Sequence, residues 1–267
     1  MDLGLAGATA VVTGATKGMG LAIAQTMAAE GARVAVMARS KAPLDEAVDL
    51  LRAAGAPDAL GISVDVGDPH SINAAFDEVR SRWGELNSLV HTVGPADGYF
   101  ESMTDDDWDD AFTLGTMSGV RAIRAALPLL RAAEWARIVT FSAHSIQRQN
   151  PRIIAYTASK AALSSITKNL SKSLAAEGIL VNSVCPGTIV TASFTETLRD
   201  ILAADGLDAE NPVDVMTWID KNFHQPCDLG RAGLPNEVAS ITTYLASRRN
   251  GYVTGATVNV DGGSDFI

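Results

Sequence analysis

The chain has 267 residues, of which 47% are hydrophobic and 19% charged, and both values are typical of one ordinary globular α/β domain. Its formal net charge of -10 argues against a nucleic acid or an anionic membrane as partner, because both require clustered Lys and Arg. The four histidines are dispersed and show no metal-ligand spacing, so we expect no bound metal.

The N-terminal stretch MDLGLAGATAVVTG lacks the basic segment and long apolar run of a secretion signal. No run of about 18 uncharged apolar residues occurs elsewhere, so we expect no membrane span. Cys185 and Cys227 lie in unrelated contexts and are expected to be reduced thiols. Together these features predict a cytoplasmic protein.

Short β-rich runs alternate with longer helical patterns along the chain. The first five segments are TAVVTG, GLAIAQTMAAEGA, RVAVMAR, APLDEAVDLLRAAG and ALGISVDV. Further strands are predicted in LNSLVHTVG, ARIVTFSA, ILVNSVCPG and ATVNVDGG, with helix-like segments at 71–83, 105–131 and 156–177. Apolar strands joined by helical crossovers indicate a parallel sheet covered on both faces. We therefore predict one doubly wound α/β domain over residues 1–267.

A glycine-rich turn, TGATKGMG, follows the first predicted strand and opens the first predicted helix. Its glycines permit a tight turn and let backbone N–H groups approach a phosphate, and the helix N-terminus adds partial positive charge. Because the motif lies in the first βαβ unit, it predicts binding of a dinucleotide pyrophosphate. The residues assigned to this contact are Gly14, Thr16, Lys17, Gly18, Met19 and Gly20.

The end of the second predicted strand indicates which dinucleotide binds. An acidic residue there commonly holds the ribose hydroxyls of NAD, but VAVMARS ends in Arg39 and Ser40, and Lys17 lies in the nearby turn. Guanidinium and ammonium groups pair well with phosphate, so these residues favour the 2′-phosphate of NADP(H), with NAD(H) as the alternative. Asp65 and Val66, which end the third strand, are placed to contact the adenine ring.

Tyr156 and Lys160 are one helical turn apart in AYTASKAAL, with their Cβ atoms about 5–6 Å apart on one helix face. An ammonium stabilises a phenolate and lowers a tyrosine pKa that is otherwise about 10, which makes the tyrosine useful in proton transfer near neutral pH. The spacing by itself is common in structural helices. Its meaning depends on the motifs around it.

Four motifs in the same order, TGATKGMG, AYTASKAAL, VNSVCPGTIVT and YVTGATVNVDGG, make residues 5–265 resemble the short-chain dehydrogenase/reductase family. The resemblance implies a Rossmann-like domain, hydride transfer between a nicotinamide and a carbonyl or alcohol, and a homotetramer. It implies that Tyr156 donates or accepts the proton and that Lys160 holds the nicotinamide ribose and tunes the tyrosine. The residues that it places beside the nicotinamide are Gly94, Asn182, Pro186, Gly187, Ile189 and Thr191.

Three positions depart from the family pattern. The Asn-Asn-Ala-Gly turn reads HTVG at 91–94, the asparagine expected seven residues after Trp108 is Gly115, and the serine expected thirteen residues before Tyr156 is Ala143. Only two of the four usual catalytic residues remain. Losing one donor to the substrate oxygen typically costs about 2.7–4 kcal/mol of transition-state stabilisation, which impairs an enzyme without abolishing its activity.

His144 and Ser145 are the candidate replacements for the missing serine. If the strand stays extended past Phe141, alternation places Ser145 on the same side as Ala143, roughly 6–7 Å further along. If the chain turns there, His144 reaches the site; the alternative is that both residues only fill a loop. Gly115 disfavours a helix by about 1 kcal/mol relative to Ala, which predicts a locally loosened helix within 105–131.

The segment 191–230 interrupts the regular pattern with Gly, Pro and Asn breaks. A connection of this length usually covers a binding site, so we predict a substrate lid, with a solvated surface excursion as the alternative. Its apolar residues suit a hydrophobic alicyclic, steroid-like or acyl-thioester substrate, or else only pack the lid onto the domain. They are Phe194, Leu198, Leu202, Val215, Met216, Trp218, Ile219 and Phe223.

Three functions follow from these features. The first is an NADP(H)-dependent oxidoreductase acting on a small-molecule ketone or secondary alcohol through Tyr156 and Lys160. The second, supported by Ala143 and Gly115, is a nicotinamide-binding protein with little turnover that serves as a sensor or assembly subunit. The third is a reductase or isomerase of an activated C=C bond, where a carbonyl-binding serine is less necessary. Retention of both Tyr156 and Lys160 favours the first.

Overall fold

The computed structural model describes residues 2–95 and 98–264, and within these ranges the chain forms a seven-stranded sheet with helices on both faces. The strands are β1 (Thr9–Thr13), β2 (Arg33–Ala38), β3 (Ala59–Ser63), β4 (Ser88–His91), β5 (Ala136–Phe141), β6 (Ile179–Pro186) and β7 (Thr257–Val260). Their order in the sheet is β3-β2-β1-β4-β5-β6-β7, and every neighbouring pair is parallel. The predicted doubly wound parallel sheet is confirmed.

Helices connect the strands as crossovers. They are α1 (Gly18–Ala29), α2 (Lys41–Ala54), α3 (Pro69–Trp83), α4 (Asp105–Phe112), α5 (Ser118–Ala132), α6 (Ile154–Ser173), α7 (Ala192–Ala204), α8 (Pro212–Phe223) and α9 (Pro235–Leu245). Several of their ends follow from local sequence. For example, the Asp68 side chain accepts the His70 N–H at the start of α3, and Gly84 ends that helix in the left-handed conformation.

Alternate residues of each strand face two separate cores. Ala10 and Val12 of β1 pack with α1, α2 and α9 in one apolar cluster. Val11 packs with α3 and α5 in the other. Because the sheet is covered on both faces, all five residues of β1 are buried, which explains why the strand sequence is apolar rather than alternating.

The direction of winding changes between β1 and β4, which are neighbours in the sheet but lead to helices on opposite faces. Parallel sheets of this kind bind ligands in the crevice outside the carboxyl ends of the strands, at such a switch point. Gly14 follows β1 and Gly94 follows β4. The predicted cofactor residues therefore converge on this crevice.

The long helix predicted over 105–131 is interrupted. One turn of π-helix, Thr113–Met117, separates α4 from α5 and contains Gly115. A single π turn inside a helix is a frequent feature of functional sites. The loosened helix that Gly115 predicted is confirmed in this form.

The chain turns immediately after β5. The strand ends at Phe141, and a 3-10 helix, His144–Ile146, follows the extended Ala143. The extended path that would place Ser145 on the side of Ala143 is therefore wrong, and the alternative path, with a turn at His144, is the one that occurs.

Candidate active site

The glycine turn forms a cradle at the N-terminus of α1. Gly14 and Gly18 have φ values of +70° and +58°, in the left-handed region that favours glycine. A Cβ added to Gly20 would lie 3.0 Å from Ala15 Cα, so α1 begins in close contact with the turn. Lys17 occupies the N-cap position without a side-chain hydrogen bond, which leaves the first-turn amides of α1 to a ligand. This arrangement fits a pyrophosphate.

The cations predicted to select NADP(H) are accessible. Lys17, Arg39 and Ser40 are exposed, and the Ser40 side chain makes no capping hydrogen bond at the start of α2. In the ranges 2–95 and 98–264, neither Lys17 nor Arg39 forms an ion pair with a carboxylate. Both can therefore pair with a phosphate.

The two residues predicted near the adenine ring have structural roles as well. The Asp65 carboxylate accepts the Gly67 N–H at 2.9 Å and so stabilises the loop after β3. Val66 is 9% exposed and belongs to the apolar core. Asp65 is exposed and its second carboxylate oxygen can accept from a ring amine, whereas buried Val66 can offer mainly its main chain.

Residues distant in sequence meet around Gly94. A Cβ added there would lie 3.4 Å from Tyr156 Cε2 and 3.7 Å from Lys160 Nζ, so both side chains pack against the turn after β4. A Cβ added to Gly18 would lie 3.4 Å from Thr191 Cγ2, which brings the segment after β6 against the glycine turn. The structure thus brings three loops and helix α6 together at one place.

The segment after β6 is held by the rest of the domain. Pro186 ends the strand and is buried, and Gly187 lies so close to Asp261 that an added Cβ would be 2.8 Å from its Cα. Ile189 is 7% exposed, pairs with Gly233 and packs into the core. Ile189 therefore anchors this segment, and its backbone is the part available to a cofactor.

Lys160 is fixed by the main chain. The residue is only 2% exposed, and its Nζ donates to Val93 O at 2.7 Å and to Phe141 O at 2.8 Å. Burial lowers the pKa of Lys160 to about 8. Nζ lies 5.9 Å from the centroid of the Tyr156 ring. The ammonium is thus held beside the phenol in a position set by β4 and β5.

The environment of Ala143 separates the two candidate replacements. The His144 ring is half-buried, and its Nδ1 lies 3.3 Å from Pro186 O. Because a carbonyl oxygen only accepts, this contact makes Nδ1 the donor. Ser145 is 1% exposed and accepts a hydrogen bond from Thr157 Oγ1 at 2.9 Å. The structure therefore directs the Ser145 hydroxyl to α6 and places His144 beside the end of β6.

Gly115 faces Ser159 across the contact between the π turn and α6. A Cβ at Gly115 would overlap Ser159 Oγ and lie 2.7 Å from Ser159 Cβ and 3.2 Å from Pro95 Cδ. Ser159 Oγ donates to Tyr156 O at 2.8 Å, and Thr116 Oγ1 donates to Ser159 O at 2.8 Å. There is no room for an asparagine side chain at position 115 in this packing.

A buried histidine replaces the first asparagine of the family turn. His91 is fully buried, with Nδ1 2.8 Å from Thr13 Oγ1 and Nε2 3.0 Å from Ser118 Oγ. Ser118 Oγ donates to Leu114 O, so it accepts from Nε2–H, and Nδ1 accepts from Thr13. Burial lowers the pKa of His91 to about 3, with the charge of Lys160 contributing. A neutral imidazole thus joins β1, β4 and the start of α5.

The roles of His91 and Ser159 were not predicted from the amino-acid sequence. For His91 the available signal was an ionisable side chain in an otherwise apolar strand, which must be paired when buried. For Ser159 the sequence offered little indication, because only the structure shows that this serine lies against Gly115.

A cavity of about 870 Å³ lies beside Tyr156. Of the eight apolar residues named in 191–230, five line it, and all eight belong to or pack against one small apolar core. The apolar set therefore packs the segment 191–230 and also borders the cavity. The lining residues are Pro95, Tyr156, Thr191, Ser193, Phe194, Thr197, Leu198, Trp218, Ile219 and Phe223.

Among residues 2–95 and 98–264, no three His, Cys, Asp or Glu side chains are grouped so that they could hold a metal ion. None of the helices in the same ranges is both long enough and apolar enough to cross a bilayer. Cys185 and Cys227 are free thiols, and burial raises the pKa of the Cys185 thiol to about 11.

Comparison with known proteins gives matches over nearly the whole chain. The family model described as enoyl-(acyl carrier protein) reductase matches residues 14–265. The Caenorhabditis elegans protein named dehydrogenase/reductase SDR family member 4 is 31% identical over 259 residues, covering 96% of this chain and 95% of that protein. The 3-oxoacyl-(acyl-carrier-protein) reductase FabG of Escherichia coli is 33% identical over 262 residues, covering 98% of each.

Solved structures agree with these matches. L-sorbose reductase from Gluconobacter frateurii, complexed with NADPH and L-sorbose, superposes with a TM-score of 0.92 at 29% identity and 100% coverage of both chains. A variant of actinorhodin polyketide ketoreductase with NADPH gives a TM-score of 0.86 at 30% identity and 98% coverage of both chains. Both matches extend over nearly the whole chain.

Proposed function

The chain belongs to the short-chain dehydrogenase/reductase family and is an oxidoreductase, and we propose that it transfers a hydride between NADP(H) and a ketone or secondary alcohol through Tyr156 and Lys160. One observation carries the proposal. Tyr156 and Lys160 both pack against Gly94, at the crevice between β1 and β4 and beside a cavity of about 870 Å³. A nucleotide cradle, an acid–base pair and a substrate-sized space therefore share one location.

The cofactor is NADP(H), and the residues of this chain fit it. The cradle of Gly14, Gly18 and Gly20 receives the pyrophosphate, and Lys17 and Arg39 pair with the 2′-phosphate. L-sorbose reductase and the polyketide ketoreductase were both solved with NADPH, which supports the same choice. When bound, NADPH supplies the hydride.

In the reduction direction, Tyr156 donates its phenolic proton to the substrate oxygen as the carbonyl carbon gains the hydride. The Lys160 ammonium stabilises the phenolate that remains. Two of its three N–H donors are used by Val93 and Phe141, which leaves one for the cofactor ribose. In the oxidation direction the same pair accepts the proton.

We propose that His144 takes the place of the missing serine beside the substrate oxygen. The turn after Ala143 and the contact from Nδ1 to Pro186 O support this role, because they hold the ring next to the segment beside the nicotinamide. Ser145, with its hydroxyl bonded to Thr157, is proposed to act indirectly by holding the turn against α6.

The segment 191–230 is proposed to be the substrate lid. Its residues Phe194, Leu198, Trp218 and Phe223 give the cavity an apolar wall, while Thr191, Ser193 and Thr197 add hydroxyl groups. This lining supports a hydrophobic or alicyclic ketone or alcohol as substrate.

Turnover of a panel of ketones, alcohols and enones with NADPH or NADP+ tests the proposal. Tyr156→Phe should lower the rate with a competent carbonyl substrate by roughly 10²–10⁴-fold. A Phe variant as fast as the parent would contradict the tyrosine assignment. Reaction with enones alone would favour C=C reduction, and NADP(H) binding without any turnover would favour the sensor or assembly role.

We also propose that the protein is a cytoplasmic homotetramer. The edge strand β7 supports assembly, because its residues Thr257–Val260 are exposed or half-exposed and an open sheet edge is usually covered. The faces proposed for contact are α4 with α5, α6, and β7. Light scattering should give four times the chain mass at micromolar concentration, and a stable monomer would contradict the assembly.

A further inference from the structure

Arg152 lies at the mouth of the cavity, four residues before Tyr156. Its guanidinium carbon lies 4.5 Å from the centroid of the Phe223 ring and 6.0 Å from that of Tyr99. Phe223 lines the cavity. The main-chain N–H of Arg152 donates to Asn150 Oδ1 at 3.0 Å, which fixes the start of the 3-10 helix Pro151–Ile153. The guanidinium is thus held between the loop after β4 and the end of α8.

This cation has no anionic partner within the described ranges 2–95 and 98–264. The chain carries 31 acidic and 21 basic residues, yet no carboxylate in those ranges forms an ion pair with Arg152. The neighbouring Arg148 is different, because it donates to the carbonyl oxygens of Ser264 and His224. Arg148 is therefore a structural cation, whereas the Arg152 guanidinium makes no hydrogen bond within the described ranges.

A guanidinium that stacks on an aromatic ring is well placed to bind an anion. When its face lies on an aromatic ring, its N–H groups point outward in the plane and form a fork that matches a carboxylate. Among residues 2–95 and 98–264, none of those that line the cavity is charged. In a protein with a net charge of -10, a cation beside the lining residue Phe223 offers an anionic group a favourable contact.

We propose that Arg152 binds a carboxylate of the substrate and that the enzyme prefers keto acids and hydroxy acids to their neutral counterparts. This inference rests on the proposed function and specifies its substrate class. Four residues span about 6–8 Å along a helix axis, so the carboxylate and the reacting carbonyl are separated by several bonds. The apolar cavity wall contacts the carbon chain between them.

The test compares acids with their methyl esters. 5-Oxohexanoate and 7-oxooctanoate, each beside its ester, serve as substrates with NADPH, and kcat/KM is measured for the parent, Arg152→Gln and Arg152→Lys. The parent should prefer at least one acid by about tenfold to a hundredfold, the range expected for a charged hydrogen-bonded pair. In Arg152→Gln the ratio of acid to ester should fall towards one. Arg152→Lys should lie between, because an ammonium lacks the planar fork.

Arg80→Gln is the matched control, since Arg80 is an exposed arginine on α3 and pairs there with Asp77. It should leave the ratio of acid to ester unchanged. A parent enzyme that reduces acid and ester equally, or an Arg152→Gln variant that keeps the preference, would overturn the carboxylate site while leaving the proposed function intact.

Binding gives a second readout that does not depend on turnover. Trp218 lines the cavity, so tryptophan fluorescence can report binding of 7-oxooctanoate to the protein loaded with NADP+. The carboxylate should bind about tenfold more weakly to Arg152→Gln than to the parent. Equal binding would refute the site. If the acid binds through Arg152 but no ketone is reduced, the proposed function fails and the binding site stands.

Discussion

Ser159 occupies the space that a side chain at Gly115 would need. A Cβ at Gly115 would overlap Ser159 Oγ and lie 2.7 Å from Ser159 Cβ. The π turn and α6 approach closely because one of them carries glycine at this point. Glycine at position 115 therefore belongs to a different packing arrangement. In it, the Ser159 hydroxyl donates to Tyr156 O, and the Ser159 carbonyl oxygen accepts from Thr116 Oγ1. Replacing Gly115 alone would not restore the family arrangement.

Gly115→Ala should destabilise the protein, since overpacking of this kind costs about 1–3 kcal/mol. Thermal and urea unfolding measure the change. Gly251→Ala is the control, because an added Cβ there meets nothing within 4 Å. Combining Gly115→Ala with Ser159→Gly should cost less than the sum of the single changes. Additive losses would show that the two residues do not compete for space.

His144 and a restored serine should substitute for one another. His144→Ala should lower kcat/KM for a ketone by about 10²-fold, the typical effect of losing one donor to the substrate oxygen. Ala143→Ser should leave the rate within a modest factor, or raise it for simple ketones. In the Ala143→Ser background, His144→Ala should have a smaller effect. An equal loss in both backgrounds would place His144 away from the substrate oxygen.

Lys160 should make stability depend on pH above neutrality. Burial lowers its pKa from 10.5 to about 8, so between these values the unfolded chain binds more protons than the folded protein. The free energy of unfolding contributed by this group therefore rises with pH through that window. Urea unfolding of the parent and of Lys160→Met should show a difference that shifts in favour of the parent from pH 8 to 10.5. A difference that stays constant would contradict the lowered pKa.

His91 should make the fold sensitive to acid. Its pKa is lowered from 6.5 to about 3, so below pH 6.5 the unfolded chain takes up a proton that the folded protein does not. This contribution to the free energy of unfolding therefore falls as the pH drops from 6.5 towards 3. His91→Asn, which can still hydrogen-bond, should shift the acid-unfolding midpoint to lower pH. The exposed His70→Asn on α3 should leave it unchanged.

Cofactor preference should follow the end of β2. Ala38→Asp combined with Arg39→Ser should weaken NADP+ and strengthen NAD+, because the new carboxylate repels the 2′-phosphate and accepts from ribose hydroxyls. Lys17→Ala should weaken NADP+ by about tenfold, the effect of losing one charged hydrogen bond, with little change in NAD+. Titration of both nucleotides measures the result. Tighter binding of NAD+ than NADP+ by the parent would contradict the assignment.

Features that depend on residues close together in the chain could be predicted from the sequence. Apolar runs that alternate with helical patterns are sufficient to predict a parallel α/β sheet, because strands buried on both faces are mostly apolar. The glycine turn, the pair Tyr156 and Lys160, and the loosened helix at Gly115 follow in the same way. Each depends on residues within a few positions of one another, whose geometry the backbone conformation largely fixes.

Contacts between different helices, strands and loops became known only from the tertiary structure. Only the folded chain shows that β5 is followed by a turn at His144, that Ser145 bonds to Thr157, and that Lys160 is held by two carbonyl oxygens. Such contacts join residues that are far apart or face different elements. Their geometry comes from how helices and strands pack, and a linear pattern carries no information about which atoms then compete for the same space.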